Sequence, residues 1–290
     1  MTAVLDTLIQ GILLGGLYGL FAAGLSLVFG VMRLVNVAHG DFIVMAAFLV
    51  MLLQNVLHIG SPFTTLLILV PAMFIVGYIL QRLFLNPTLG PEILRPVLVT
   101  FGMSVIIENA LLQIFSADSQ KLQGGNMEIA SIELPRGLAV GIFPLTTLIV
   151  CVVVIAVLQW ILFRTSLGRA FRAASDDPTV AGLMGVNTRH LYAIATGIAL
   201  ATVAIGGVFM GIRASFDPNS GPDRLIFAFE AVIIGGLGSL WGTLVGGILL
   251  GVAQSVGARL SADGLLLAGH IVFLFVLMVR PNGLFPKRGD

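Results

Sequence analysis

Charge is what this sequence has least of. Fifteen Lys and Arg and fourteen Asp and Glu are spread over 290 residues, 10% of the chain. A soluble domain carries about 25%, because a folded surface needs polar cover. Cysteine is rarer still. Cys151 is the single one and sits in an apolar run, which excludes a disulfide framework and a cysteine metal cluster. The opening stretch "MTAVLDTLIQG" contains Asp6 and neither Lys nor Arg, so it lacks the basic start of a cleaved signal peptide, and the first apolar run is expected to stay in the mature protein. No GxxxxGK[ST] occurs, so nothing here cradles ATP phosphates. "GGLGSLWG" is not a dinucleotide fingerprint, because Trp241 falls where the third glycine belongs. There is no basic stripe for nucleic acid, no G-x-S-x-G elbow, no HExxH and no Ser/His/Asp cluster. The absences exclude a nucleotide-binding enzyme, a hydrolase and a nucleic-acid binder.

What is present is oil. Hydrophobic residues make up 58% of the chain and the mean hydropathy is +1.06. A membrane helix needs about 20 mostly apolar residues. Candidate spans fall near 8–30, 37–57, 62–83, 97–115, 138–162, 191–213, 226–257 and 264–280. The window 226–257 is too long for one crossing and is interrupted by glycines, so we read it as two shorter helices or a broken, re-entrant one hinged near 235–242. The expected fold is all-α: one polytopic membrane domain over 1–290, with eight to nine transmembrane helices.

Basic residues set the orientation. Arg82 and Arg95 lie in the 82–96 link, Arg164, Arg169, Arg172 and Arg189 in 163–190, and Arg280, Lys287 and Arg288 in the tail. Those segments are expected in the cytoplasm. The links 116–137 and 214–225, with Asp118, Glu128, Glu133, Asp217 and Asp223, are expected outside. Alternation then requires 226–257 to cross twice. Gly11, Gly15 and Gly19, and likewise Gly238, Gly242 and Gly246, recur every fourth residue, a stripe that lets helix backbones pack closely.

The longest cytoplasmic connection carries its own helix signals. Asp177 is a good N-cap, Pro178 suits the first helical position and Gly185 suits the end. Asp176 and Asp177 both favour the positive end of the helix dipole. Two apolar turns, with Val180, Ala181, Leu183 and Met184, are too few to be stable alone in water. Such a helix rests either on its own bundle or in the groove of a soluble partner. Ala173, Ala174, Ala181 and Gly182 are small enough for close docking.

Three stretches, "GLYGLFAAGLSLVFGVMRLVNVAHGDFIVMAAF" (16–48), "GRAFRAASDDPTVAGLMGVNTRHLYAIATGIA" (168–199) and "FEAVIIGGLGSLWGTLVGGILLGV" (229–252), together resemble the membrane permeases of branched-chain amino acid ABC importers, of the LivH type. The resemblance covers nearly the whole chain. It implies a subunit of the bacterial inner membrane that works with a second, LivM-like permease, two cytoplasmic ATPases carrying ATP and Mg, and a periplasmic binding protein. It also implies that Ala173 to Gly185 form a coupling helix centred on Asp177, Pro178, Ala181 and Gly182. Arg172 stands where the general EAA loop of import permeases has Glu.

Polar residues inside the spans are the remaining candidates. Asn36, His39 and Asp41 follow Arg33 at the inner end of the first span, where they either cap a helix or gate the pathway. Glu108 and Glu230 lie at membrane depth, where a carboxylate is costly unless paired or wet. Each belongs either to an internal network or to a substrate path. His270 reads as hydrogen-bonded within the bundle, and Trp160 and Trp241 as interface anchors or core. A stand-alone proton-coupled carrier, using an intramembrane carboxylate such as Glu230, is the competing reading.

Overall fold

The computed structural model describes residues 2–58, 60–90, 92, 94–134, 138–261 and 264–285. Lys287 and Arg288, used above for orientation, lie outside the described residues.

The chain forms α1 (Thr2–Met32), α2 (His39–Leu57) and α3 (Pro62–Leu80), the last running into a π-turn at Gln81–Leu85. After α4 (Leu94–Phe115) come a single turn, α5 (Asn126–Ile129), and a small hairpin of β1 (Ser131–Leu134) and β2 (Leu138–Gly141). Then follow α6 (Ile142–Arg164), α7 (Ser166–Asp176), α8 (Pro178–Leu183), α9 (Thr188–Arg213), α10 (Gly221–Gly235), α11 (Leu240–Leu260) and α12 (Gly264–Val279). Neither the hairpin nor α7 was foreseen from the sequence.

Seven helices among the described residues are long and apolar enough to cross a membrane: α1, α2, α3 with its continuation, α4, α6, α9 and α11. A count of eight to nine is reached only by adding α12 and α10. At 1.5 Å per residue those two are about 24 and 22 Å long, short of the roughly 30 Å hydrocarbon core. The long 226–257 window is two helices. Gly236 and Gly238 turn the chain with φ of 105° and 78°, and Ser239 caps α11 by accepting the Gly242 N–H at 3.2 Å. Gly238 therefore serves the turn and lies outside the packing stripe in which it was expected. Gly242 and Gly246 face α10, where a Cβ on Gly246 would stand 2.8 Å from the Gly235 nitrogen. α10 and α11 run antiparallel.

Helix α1 is the axis of the bundle: 83% of its best membrane window is buried, against 17% for α4, 22% for α3 and 28% for α6. Its glycine face makes that possible. A Cβ on Gly11 would lie 2.6 Å from Val252 Cα, one on Gly15 2.7 Å from the Gly247 carbonyl, and one on Gly19 2.6 Å from Cys151 Sγ. In lipid no hydrophobic drive holds helices together, so contact at this range, where dispersion and backbone dipoles act, must do so. The outer helices α3, α4, α6 and α12 present Leu67, Leu98, Ile106, Val153 and Phe275 outward, each more than half exposed. These faces suit lipid or a neighbouring subunit.

Candidate functional site

Asn36, His39 and Asp41 sit at the start of α2, and that start is buried in the bundle. The chain leaves α1 at Met32, turns at Arg33 with φ 53°, and doubles back along the helix it has just left. His39 Nε2 then donates to the Phe21 carbonyl at 2.8 Å. Phe21 is eleven residues before Met32, about 16 Å along α1. α2 therefore begins inside the bundle, and the three side chains are buried, at 4%, 1% and 2% exposure. Asn36 Oδ1 accepts the Ala38 N–H at 3.1 Å, an Asx-type turn that starts α2.

The start of α2 meets the start of α10. Asp41 Oδ1 rests against Gly221, where a Cβ would stand 2.7 Å from Asp41 Cγ. Ser104 of α4 flanks the same carboxyl, and Glu108 lies one turn further along α4. Asn109, exposed, turns its amide back to the Val105 carbonyl at 2.8 Å, and Gln113 is exposed beyond it.

From Gly221 onward α10 carries Arg224 and Glu230, about 120° apart around its axis, and both contribute to a polar band around Tyr18. Glu230 Oε1 lies 2.5 Å from His270 Nδ1 on α12. Tyr18 of α1 donates its hydroxyl hydrogen to Gln254 Oε1 on α11, and its ring meets Phe227 with centroids 5.1 Å apart. Arg213, Arg224 and Glu230 all lie within electrostatic range of that hydroxyl.

Five buried side-chain polar atoms among the described residues have no hydrogen-bond partner, and four belong to this band: Asp41 Oδ1, Arg224 Nε, Glu230 Oε2 and Gln254 Nε2. An orphaned buried polar atom costs about 1–3 kcal/mol, and native proteins keep few of them. Four together mark a place built to meet something polar, water or a solute. Carboxylates (Asp41, Glu230) and guanidinium groups (Arg213, Arg224) share the band with the amide of Gln254. That mixture can hold a small dipolar molecule. Among the described residues no group of three His, Cys, Asp or Glu is placed to hold a metal ion.

The connection 163–190 is a pair of capped helices. Thr165 accepts the Gly168 N–H at 3.1 Å to start α7, and Ser175 Oγ donates to the Gly30 carbonyl at 2.9 Å, tying α7 to the end of α1. Ala173, Ala174 and Asp176 belong to α7. Asp177 caps α8 through the Thr179 and Val180 N–H groups, at 2.8 and 3.0 Å, and Pro178 fills the first position. Gly185 ends α8 with φ 86°, while Val186 N–H reaches back to the Ala181 carbonyl.

Ala174 and Ala181 point into the protein, only 2% and 4% exposed, whereas Ala173 and Gly182 of the same expected docking set face outward. The outward face is larger and oilier: Leu183 and Met184 are 84% and 81% exposed, with Val180 beside them. A Cβ on Gly182 would meet nothing within 4 Å. The signal for this face was in the sequence, as two bulky apolar residues between a proline start and a glycine stop.

Comparison with known proteins bears on all of these regions. The family model described as "Branched-chain amino acid transport system / permease component" matches residues 7–279. The chain is 30% identical to the high-affinity branched-chain amino acid transport system permease protein BraD of Pseudomonas aeruginosa, covering 98% of this chain and 96% of that one. It is 27% identical to the corresponding LivH of Escherichia coli, with the same coverage of both chains. LivM of Escherichia coli is 26% identical over 93% of this chain and 68% of its own length. No solved structure matches. With its glycine-packed bundle matched from residue 7 to residue 279, this chain belongs to the permease-component family of branched-chain amino acid transport systems.

Proposed function

We propose that this chain is one permease subunit of an ATP-binding-cassette importer that moves branched-chain or other hydrophobic amino acids, or related amides, across the bacterial inner membrane. The observation that carries the reading is the full-length match together with the exposed Leu183 and Met184 on a helix too short to stand alone. In this reading α8 lies in the cytoplasm and docks into a groove on an ATPase subunit, which binds ATP and Mg. A second, LivM-like permease pairs with the outer helices, and a periplasmic binding protein delivers the solute. The polar band along α10 lines the path, its carboxylates facing an amino group and its guanidinium groups a carboxylate.

The energy enters through α7 and α8. Ser175 on the Gly30 carbonyl ties this pair to α1, and α1 carries α11 on its glycine face. A push on α8 is thus passed to the helix against which the rest of the bundle packs. ATP binding biases the equilibrium between inward-open and outward-open arrangements, which is all an effector can do. The stand-alone proton-coupled carrier finds no support in the family match.

The test is uptake of labelled leucine into right-side-out vesicles that hold this chain with its partner permease and ATPases, with ATP in the lumen and the binding protein outside. Uptake should require ATP and vanish without the ATPase. Uptake driven by a proton gradient in this chain alone would overturn the proposal. Replacing Leu183 and Met184 by Asp should abolish ATPase copurification while the chain still folds, because neither side chain is buried.

A further inference from the structure

The π-turn that ends α3 has a second consequence. Around Gln81–Leu85 the chain widens, so that the Asn86 N–H reaches the Gln81 carbonyl five residues back. Such turns are rare and collect at functional places. This one is held open by a buried side chain. Gln81 is fully buried, accepts from Thr196 Oγ1 at 2.7 Å and donates to Asn86 Oδ1 at 3.1 Å. Asn86 in turn donates to the Arg189 carbonyl at 2.9 Å, fixing the start of α9 against the end of α3.

The widened turn borders a cavity of about 420 Å³ lined by Arg82, Asn86, Pro87, Asn187, Arg189 and His190. No carboxylate is in that lining, and among the described residues neither Arg82 nor Arg189 has an ion-pair partner. Arg82 is nonetheless positioned. Its Nη1 donates to Tyr78 Oη at 2.8 Å, and Tyr78 Oη lies 2.8 Å from His190 Nδ1. Since the phenol oxygen accepts from Arg82, its own hydrogen is available to Nδ1, leaving Nε2 as the imidazole donor. Two guanidinium groups, an imidazole and two amides therefore converge on one space with no counter-charge, the donor chemistry of a phosphate site.

The surroundings choose between phosphates. Ile79, Leu83 and Phe84, next to Arg82, are 46%, 63% and 51% exposed, and the apolar face continues along α3 through Ile75 and Ile68. A soluble phosphate has no use for that surface, whereas an acyl chain does. We propose that this pocket binds the phosphate of an anionic phospholipid, with the acyl chain lying along the exposed face of α3. The proposal rests on the membrane-spanning fold and not on the transport reading.

The experiment is native mass spectrometry of the full-length chain released from nanodiscs containing phosphatidylglycerol and phosphatidylcholine. The chain should retain phosphatidylglycerol preferentially, and the Arg82→Gln, Arg189→Gln double variant should lose at least about tenfold of that preference. Arg95→Gln, whose guanidinium already pairs with Glu92 at 2.7 Å, should keep it. Equal retention by wild type and double variant overturns the proposal. So does displacement of the lipid by millimolar inorganic phosphate, which would make the ligand a soluble anion. Loss of ATPase copurification in the double variant with lipid retention unchanged would assign the pocket to a protein contact and overturn it too. Should the double variant fail to fold, Arg189→Gln alone decides the matter, because only the Arg189 backbone carbonyl takes part in the network that holds the turn.

Discussion

Glu230 on α10 and His270 on α12 meet at 2.5 Å, and the second oxygen of Glu230 is buried with no partner. One half of the carboxyl holds two helices together while the other half is left over. That division separates two roles in one residue. Glu230→Gln keeps an amide oxygen for the imidazole and should leave the thermal midpoint in detergent nearly unchanged. His270→Ala strands both oxygens and should lower stability by about 1–3 kcal/mol. If Glu230 also faces solute, Glu230→Gln should still reduce leucine uptake in the assembled transporter. A Glu230→Gln variant with normal uptake would confine the residue to structure.

The α1–α11 contact gives a second prediction. A Cβ on Gly15 would stand 2.7 Å from both the Gly247 carbonyl and the Ile248 nitrogen, and backbone cannot move aside as a side chain can. Gly15→Ala should therefore push the helices apart and destabilise the chain by about 1–3 kcal/mol. Gly102, at an open position of α4 with nothing within 4 Å, should accept alanine without loss. Thermal unfolding of the two variants side by side measures the difference.

Gly182 separates internal from external contacts. Ala181 is buried against its own chain, so a bulky residue there disrupts packing before any partner is involved. At Gly182 the position is exposed and an added Cβ meets no atom within 4 Å, so the isolated Gly182→Arg subunit should unfold as the wild type does. ATPase copurification and ATP-driven uptake should nevertheless fall at least tenfold. Normal copurification would mean that α8 is not the docking element.

These contrasts show how far the sequence could be read. The helices of the bundle were legible because lipid imposes one strong rule: about 20 apolar residues in a row. The break at 235–242 was legible because four glycines and a serine interrupt such a row. The inward start of α2 was not. "VNVAHGD" reads the same whether the link crosses an interface or doubles back inside the bundle, and only the long-range bond from His39 to Phe21 distinguishes them. The polar band on α10 was half visible. Glu230 stands out at depth, but Arg224 falls within the 214–225 link when the helix is expected to start at 226 rather than at Gly221. The small residues around α8 suggested close approach and were taken for the docking face. Two of them, Ala174 and Ala181, pack against the chain itself while Ala173 and Gly182 stay exposed, and Leu183 and Met184 beside them were ordinary apolar sequence until burial sorted them.

The cap on α8 should be measurable apart from docking. Asp177 accepts two backbone N–H groups, and α8 has only six residues in which to recover the loss. Asp177→Ala should weaken the turn by about 1 kcal/mol. In hydrogen exchange, Val180 and Ala181 should lose protection while α9 keeps its own. Asp177→Asn retains a capping oxygen and should recover most of it.

On the opposite side of the bundle, Lys121 and Glu128 fold the segment after α4 onto itself. Lys121 Nζ lies 2.5 Å from Glu128 Oε1, and the Gly124 N–H reaches the other oxygen at 3.3 Å. The lysine hydrogen bond and that backbone donor hold the Glu128 carboxyl below its ordinary range. Because the folded value is the lower one, the contribution is complete above the unfolded value of about 4.3 and is lost as pH falls through the folded one. The protection factor of the Gly124 amide, its exchange relative to an unfolded peptide at the same pH, should therefore hold at neutral pH and fall only in acid, as the carboxyl takes up its proton. Glu128→Gln, which removes the charge but not the shape, should show a reduced protection factor that no longer changes with pH. The energy involved is small, since both groups are solvent-exposed in part, so bundle stability should follow neither change. An acid transition in the whole bundle that disappears in Glu128→Gln would give this surface link a weight its exposure does not support.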